Sequence, residues 1–555
     1  MGLVHNTWRS VQSAYLRITF SRVSLAFFAF STIFCIVQGV IQSLLINTDL
    51  GANNLVDAIL HEAEVPMTNV VWYTEHGNHT TMKICSQIPR TMSYDSCITV
   101  YDTSNTTLVN VDWAAPAGFR RADAPMTDSM FLTIPKGTAN AGTTLQAAKN
   151  ATGAITGVIM LAKDGDAFLT EQCTRVLLFP HEFICNSERE EIVLLIGQFW
   201  FFGISICALI FDSTPHILAL ICMHFLETAW SAFTIWRTRN MQRGFEALLM
   251  GQSSPCLVNI FPHYFNTRLS FQIPDLVLNV VGLLCSLYLG RSLIKTYNVQ
   301  TFKRVGPPEK VVRIYRLFLT LAVALHLALF LTIAAMGLWA NQLLSGPISA
   351  ISTHTSIYDT LLIFTIVTLA PWCYMGSFAV RRENRWWMAL FLAICFIYIA
   401  SWSIMFYSQV YRWTWVQWPF FASMTVASFI ILIIAGIFAV ICLLNFDRGL
   451  AHYLHVEGVL AQSDFQPGMF SSNSDLENKT ALGLRYKLSL KSTKSADTVD
   501  IDLSSPAGRS LAIKKDSNWS FDGVDGPDTK RPAIYMVELD SERSFKALPS
   551  HLDLR

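Results

Sequence analysis

Residues 192–236 read IVLLIGQFWFFGISICALIF, then DSTP, then HILALICMHFLETAWSAFTIW. The first run has twenty residues and no Asp, Glu, Lys or Arg; the second has one such residue, Glu227. About 20 apolar residues in a helix cross a hydrocarbon layer about 30 Å thick. Inside lipid each backbone N–H and C=O must be paired within the segment, so runs of this kind are helices rather than strands. The joint 212–215 is too short for anything but a tight antiparallel hairpin. The stretch therefore predicts a membrane protein.

Further runs of the same kind lie at 23–46, 275–294, 315–339, 360–380, 386–407 and 420–444. The expected fold class is a multi-pass α-helical membrane protein with about eight transmembrane helices. Composition agrees: 52% of residues are hydrophobic and 15% charged, against about 25% charged in soluble domains. With a net charge of +1, no global basic bias points to nucleic acid. The lipid bilayer is the first partner implied.

Five regions follow: a cytoplasmic N-terminus (1–22), a signal-anchor helix (23–46), an extracytoplasmic domain (47–191), a seven-helix bundle (192–444) and a largely flexible cytoplasmic tail (445–555). The first run exceeds a signal-peptide core of roughly 7–15 residues and has no clear cleavage site before Asn47, so an uncleaved anchor is expected. Orientation rests on short-loop Lys and Arg. With both termini inside, twelve lie inside (Arg9, Arg17, Arg22, Arg291, Lys295, Lys303, Arg304, Lys310, Arg313, Arg381, Arg382 and Arg385). Five lie outside (Arg237, Arg239, Arg243, Arg268 and Arg412). The cluster after Trp236 opposes this locally: either it snorkels or the third helix does not span.

The loop 47–191 carries sequons at Asn78, Asn105 and Asn150, so a glycoprotein is expected. It also holds Cys85, Cys97, Cys173 and Cys185, whereas the N-terminal flank and tail hold none. That distribution suits an oxidising compartment, in the secretory pathway or at the plasma membrane. Local pairing predicts Cys85–Cys97 and Cys173–Cys185, leaving Cys256 free or pinned to the domain. Segments rich in Val, Ile, Thr and aromatics at 69–74, 81–85, 97–101, 107–113, 130–134, 155–161 and 175–179 predict a small β-rich, sandwich-like domain. His61, Glu62, His76 and His79 fit no zinc spacing, and no metal or cofactor is expected.

Ionisable groups within spans mark functional positions. In the third helix His224 and Glu227 are three apart and share a face, which Ser231 and Thr234 extend. The stripe reads as a proton or cation site with Glu227 as charge carrier and His224 as its partner, or as an interhelical hydrogen-bond clamp. Asn279 and His326 are candidate partners. Asp275 and Asp359 read as helix caps, Gly282, Ser286 and Gly290 as a small-residue packing seam, and Arg412–Trp418 as an interfacial aromatic belt.

The order of anchor, ectodomain, seven helices and tail resembles that of heptahelical receptors and of Wntless-type sorting proteins. The likeness is one of layout: residues 290–292 read GRS where a DRY triplet would stand, and 445–447 read NFD without NPxxY. It implies a receptor-like or cargo-sorting function, with an extracytoplasmic ligand or protein partner and a second partner at the tail. The alternative is a transporter or channel using the polar stripe. An intramembrane enzyme would need more converging side chains than His224, Glu227 and His326.

Overall fold

A computed structural model describes residues 18–19, 21–76, 79–88, 97–104, 132–133, 144–150, 153–162, 165–251, 254–305, 309–345 and 355–448. All described residues belong to one compact unit. Asn78 and Asn105 lie outside the described residues, as does the tail beyond 448.

Helix α1 (Arg22–Glu62) starts at Ser21, whose hydroxyl accepts the Ser24 amide at 3.0 Å, a standard N-cap. It continues well past the predicted span and leads into two small antiparallel sheets. The first contains β1 (Val70–His76), β2 (His79–Cys85) and β3 (Cys97–Asp102); the second contains β4 (Leu132–Thr133), β5 (Thr144–Lys149), β6 (Ile155–Ala162) and β7 (Gly165–Thr170). Helices α2 (Glu171–Val176) and α3 (Leu178–Ile210) return through the bundle. Helix α4 (Thr214–Met250) follows a tight turn in which Asp212 takes a positive φ of 46°. Then come α5 (Tyr264–Val305), α6 (Glu309–Ser345), α7 (Thr355–Arg381), α8 (Arg385–Tyr407), the short α9 (Gln409–Gln417) and α10 (Pro419–Leu444).

Among the described residues eight helical segments are long and apolar enough to cross a membrane, and the third, Thr214–Met250, is one of them. Large apolar side chains stand exposed at mid-helix, such as Ile33 and Ile36 on α1, Leu284 on α5 and Phe396 on α8. A soluble protein rarely exposes such surface, whereas lipid accepts it. Helix α1 shows the reversed polarity this implies. Its buried stripe includes Ser31, Phe34, Gln38, Gln42, Leu45 and Asp49, at spacings of three and four, while Ile33, Ile36 and Val40 face outward.

The packing seam on α5 is real: Ser286 is fully buried, a Cβ on Gly282 would overlap the Phe34 ring of α1, and one on Gly290 would meet Ile217 of α4 at 2.9 Å. The sheets share a hydrophobic core with the ends of α1 and α4, including Leu55, Ile59, Met82, Val158, Phe245 and Leu248. Polar contacts join the same parts. The Ala147 amide donates to Glu62 at 2.9 Å, Gln172 Nε2 to the Val100 carbonyl at 2.7 Å, and the Tyr101 hydroxyl to the Ala247 carbonyl at 3.2 Å.

Around the sheets and their connections, three sequence expectations need correction. Residues 175–179 are helical, not a strand. That change also removes the expected Cys173–Cys185 bridge. Twelve residues of nearly continuous helix separate the two by about 18 Å, far beyond the roughly 4.4–6.8 Å between Cα atoms that a disulfide spans. Cys173 bonds instead to Cys256 in the α4–α5 connection, and Cys85 bonds to Cys97. Cys185 is a free thiol that donates to Asn53 Oδ1 at 3.1 Å. Third, two of the three tryptophans in the aromatic segment before α10 are buried against the protein, while Trp415 is exposed. Trp413 packs on Trp72 of β1 with centroids 4.7 Å apart, and Trp418 is almost fully buried.

Candidate functional site: a polar core inside the bundle

The sequence-predicted stripe on α4 faces inward, where it meets polar stripes from α1, α3 and α5. Nearest the sheets, Arg237 of α4 grips Glu190 of α3 through two hydrogen bonds, of 2.8 and 2.5 Å. Trp418 Nε1 donates to the same carboxylate at 2.8 Å. The guanidinium also lies 5.5 Å from the Trp230 ring and 5.7 Å from that of Phe183, within cation–π range. Arg237 is thus a buried ion-pair partner on a helix that runs on to Met250. Its burial removes one charge from the outside set of the positive-inside count, whereas Arg239 and Arg243 of the same cluster stay exposed.

Beside it, Arg268 of α5 pairs with Asp49 of α1 and donates to Glu191 of α3 at 2.8 Å, while the Tyr264 hydroxyl donates to Asp49 at 2.9 Å. Arg268 is 1% exposed and Asp49 0%. Pairing of this quality is what makes buried charges tolerable.

Deeper in, Asp275 receives four donors: Gln38 Nε2, Gln42 Nε2 at 2.9 Å, the Ser231 hydroxyl at 2.5 Å and Asn279 Nδ2 at 3.2 Å. A carboxylate offers about four lone-pair positions, and these donors occupy them. Reading Asp275 as a helix cap is therefore incorrect. Pro274 suggested a helix start, but α5 begins at Tyr264 and runs through the proline. Membrane helices tolerate proline where neighbours satisfy the freed carbonyl.

Glu227 accepts from Gln198 Nε2 of α3, and its second oxygen, Oε2, has no partner. It does not hydrogen-bond to His224. That imidazole is boxed between the rings of Phe34 and Phe201, at centroid distances of 5.0 and 4.9 Å. The pairing of Glu227 with His224 is therefore replaced by one with Gln198. Asn279 joins the core as expected, but His326 does not. It faces His216, with the two Nε2 atoms 3.1 Å apart, two turns or about 12 Å along α4 from His224.

The core thus gathers five buried carboxyl groups, Asp49, Glu190, Glu191, Glu227 and Asp275, against two buried guanidinium groups, Arg237 and Arg268. Among the described residues, no ion pair involves Glu227 or Asp275. A cavity between them measures about 10 Å³, and one between Phe183, Glu190, Arg237 and Trp418 about 30 Å³. A single water needs roughly 10–15 Å³, so the first holds about one water and the second about two or three, and neither has the size of a conduit. No group of three His, Cys, Asp or Glu side chains suited to a metal occurs among the described residues.

Sequence reasoning missed Gln38, Gln42, Asp49, Glu190, Glu191, Gln198, Arg237 and Arg268. The signal existed on α5, where Tyr264, Arg268, Gln272, Asp275 and Asn279 follow each other at spacings of four and three. Asn150, which follows β5, is exposed, and its Oδ1 accepts the Ala154 amide at 2.9 Å.

No family model, curated protein or solved structure matches the chain.

Proposed function

We propose that the chain is a receptor-like or cargo-sorting protein of the secretory pathway or plasma membrane. In this reading the sheets are extracytoplasmic and bind a ligand or protein, both termini are cytoplasmic, and the tail engages a cytoplasmic partner. The Lys and Arg distribution, the sequons and the two disulfides support the orientation.

The observation that carries the function is the joining of sheets to bundle. Trp413 on Trp72 and Tyr101 on Ala247 tie the sheets to α9 and α4, and Cys173 of α2, which follows β7 directly, is bonded to Cys256 in the α4–α5 connection. The helices that enter the sheet region, α1, α3, α4 and α5, are the ones that share the polar core. A partner that shifts the sheets would bias a packed, discretely bonded interior, the kind of element that passes on a binding event.

Transport is the second reading, favoured by the lack of an ion-pair partner on Glu227 and Asp275. The small size of the cavities, about 10 and 30 Å³, weighs against it.

The test places a photoreactive amino acid at Ile98, which is 66% exposed on β3, and separately at Leu284, which is 61% exposed on the outer face of α5. The receptor-like reading expects a discrete protein adduct from position 98 and none from 284. No adduct at 98, together with pH-driven cation uptake into reconstituted vesicles that Glu227→Gln abolishes, would overturn it for transport.

A further inference from the structure

The hollow between Glu227 and Asp275 has a one-sided chemistry. The amides of Gln42 and Asn279 each turn their NH2 group toward the Asp275 carboxylate. Neither can flip without losing that bond, so each is left with a carbonyl oxygen that has no donor. Glu227 Oε2 also lacks one, as do both ends of Gln272. All four residues line the same cavity and are more than nine-tenths buried. The cavity therefore presents four oxygen acceptors against two donors, Gln272 Nε2 and the Trp230 indole Nε1. Buried polar atoms left this way are costly, and a two-to-one surplus of acceptors, one of them a carboxylate oxygen, calls for a positive ligand.

We propose that this cavity binds one small monovalent cation of the sodium class, held by the Glu227 carboxylate and the carbonyl oxygens of Gln42, Gln272 and Asn279, with the Asp275 charge behind them. The inference stands independently of the receptor-like reading. Carboxylate and amide oxygens suit a hard cation. The valence follows from the count of free oxygens. Four donors already occupy Asp275, so one carboxylate charge remains for direct contact, whereas Ca²⁺ takes about 6–8 oxygens with carboxylates bound directly. The size follows from the cavity, which has room for about one water. The ionisable groups facing it are Glu191 from α3, Glu227 from α4 and Asp275 from α5; α1 contributes only Gln42 and Leu45.

The test is thermal unfolding of the purified full chain in detergent, in sodium, lithium, potassium, choline and calcium chlorides at matched ionic strength, at pH 6 and pH 8. Sodium is expected to raise Tm saturably over choline by roughly 2–4 °C, more at pH 8 than at pH 6, where protons compete. Gln272→Leu, which removes no hydrogen bond seen in the structure, and Glu227→Gln are each expected to abolish the sodium shift. Should Glu227→Gln fail to fold, Gln272→Leu and radioactive sodium binding to the unaltered chain, at one ion per molecule, decide the matter. Equal Tm in sodium and choline, a shift that persists in Gln272→Leu, or a shift specific to calcium would each overturn the proposal. So would a Tm that follows pH but no metal cation, since the site would then take a proton only.

Discussion

Arg268 of α5 and Asp49 of α1 form an ion pair between two groups with almost no exposure. It fixes the outward continuation of α1 against α5 beside the sheets, and Glu191 ties α3 to the same guanidinium. Removing the cation leaves two buried carboxylates facing each other.

Arg268→Gln is therefore expected to destabilise the folded protein by about 3–5 kcal/mol, the usual cost of breaking a buried pair from one side. The measurement is the thermal unfolding midpoint in detergent. Adding Asp49→Asn and Glu191→Gln should recover a substantial part of the loss, because the cost lies in the unpaired charges. A single variant as stable as the original would show that the pair is solvated.

The disulfide pattern predicts a specific thiol map. Digestion without reduction should give one peptide pair joined through Cys173 and Cys256 and another through Cys85 and Cys97. Cys185 should take up maleimide after denaturation without reductant. Cys256→Ser should lower stability by about 2–5 kcal/mol by releasing the α4–α5 connection from α2. Finding Cys173 joined to Cys185 would require the helix between them to be unwound.

The spans were readable in the sequence because hydropathy over twenty residues is a strong signal. The interior was not, because it inverts the usual polarity. Gln38, Gln42 and Asp49 look like scattered polar residues in or beyond an anchor until their spacings of four and seven place them on one face. Arg237 and Arg268 look like loop charges because hydropathy ends a span at the first arginine, whereas α4 continues to Met250 and α5 starts at Tyr264. The two cysteine pairs differ for the same reason. Cys85 and Cys97 close a local excursion between neighbouring strands, whereas the partner of Cys173 depends on where α4 ends, which no local rule supplies.

The α1–α5 contact depends on the missing side chain at Gly282. Gly282→Val would drive a branched side chain into the Phe34 ring, and overpacking of this kind costs about 1–3 kcal/mol. Phe34→Ala alone should also destabilise, by about 3–5 kcal/mol at a buried site. Combined, the two changes should cost less than the sum of the single effects, a coupling expected only of residues in contact. A double-mutant cycle on unfolding midpoints checks this, and strict additivity would place the two residues apart.

Glycan mapping tests the orientation through the helix count. If all eight helices cross, the chain returns to its starting side, and the sheets between the first and second crossings lie opposite both termini. Asn150 is exposed in the loop after β5, within reach of a lumenal transferase if the sheets are extracytoplasmic. Replacing Asn78, Asn105 and Asn150 singly by Gln should remove glycosidase-sensitive mass where each site is used, at Asn150 above all. The tail sequons at Asn478 and Asn518 should contribute none. A glycan on the tail alone would invert the molecule. Glycans on both loop and tail would require an odd number of crossings between them to become an even one, and one of the eight helices would then have to lie outside the membrane. Helix α4 is the most polar of the eight, but its burial between α3 and α5 makes it a poor choice to leave, because Arg237–Glu190 and Ser231–Asp275 would leave with it.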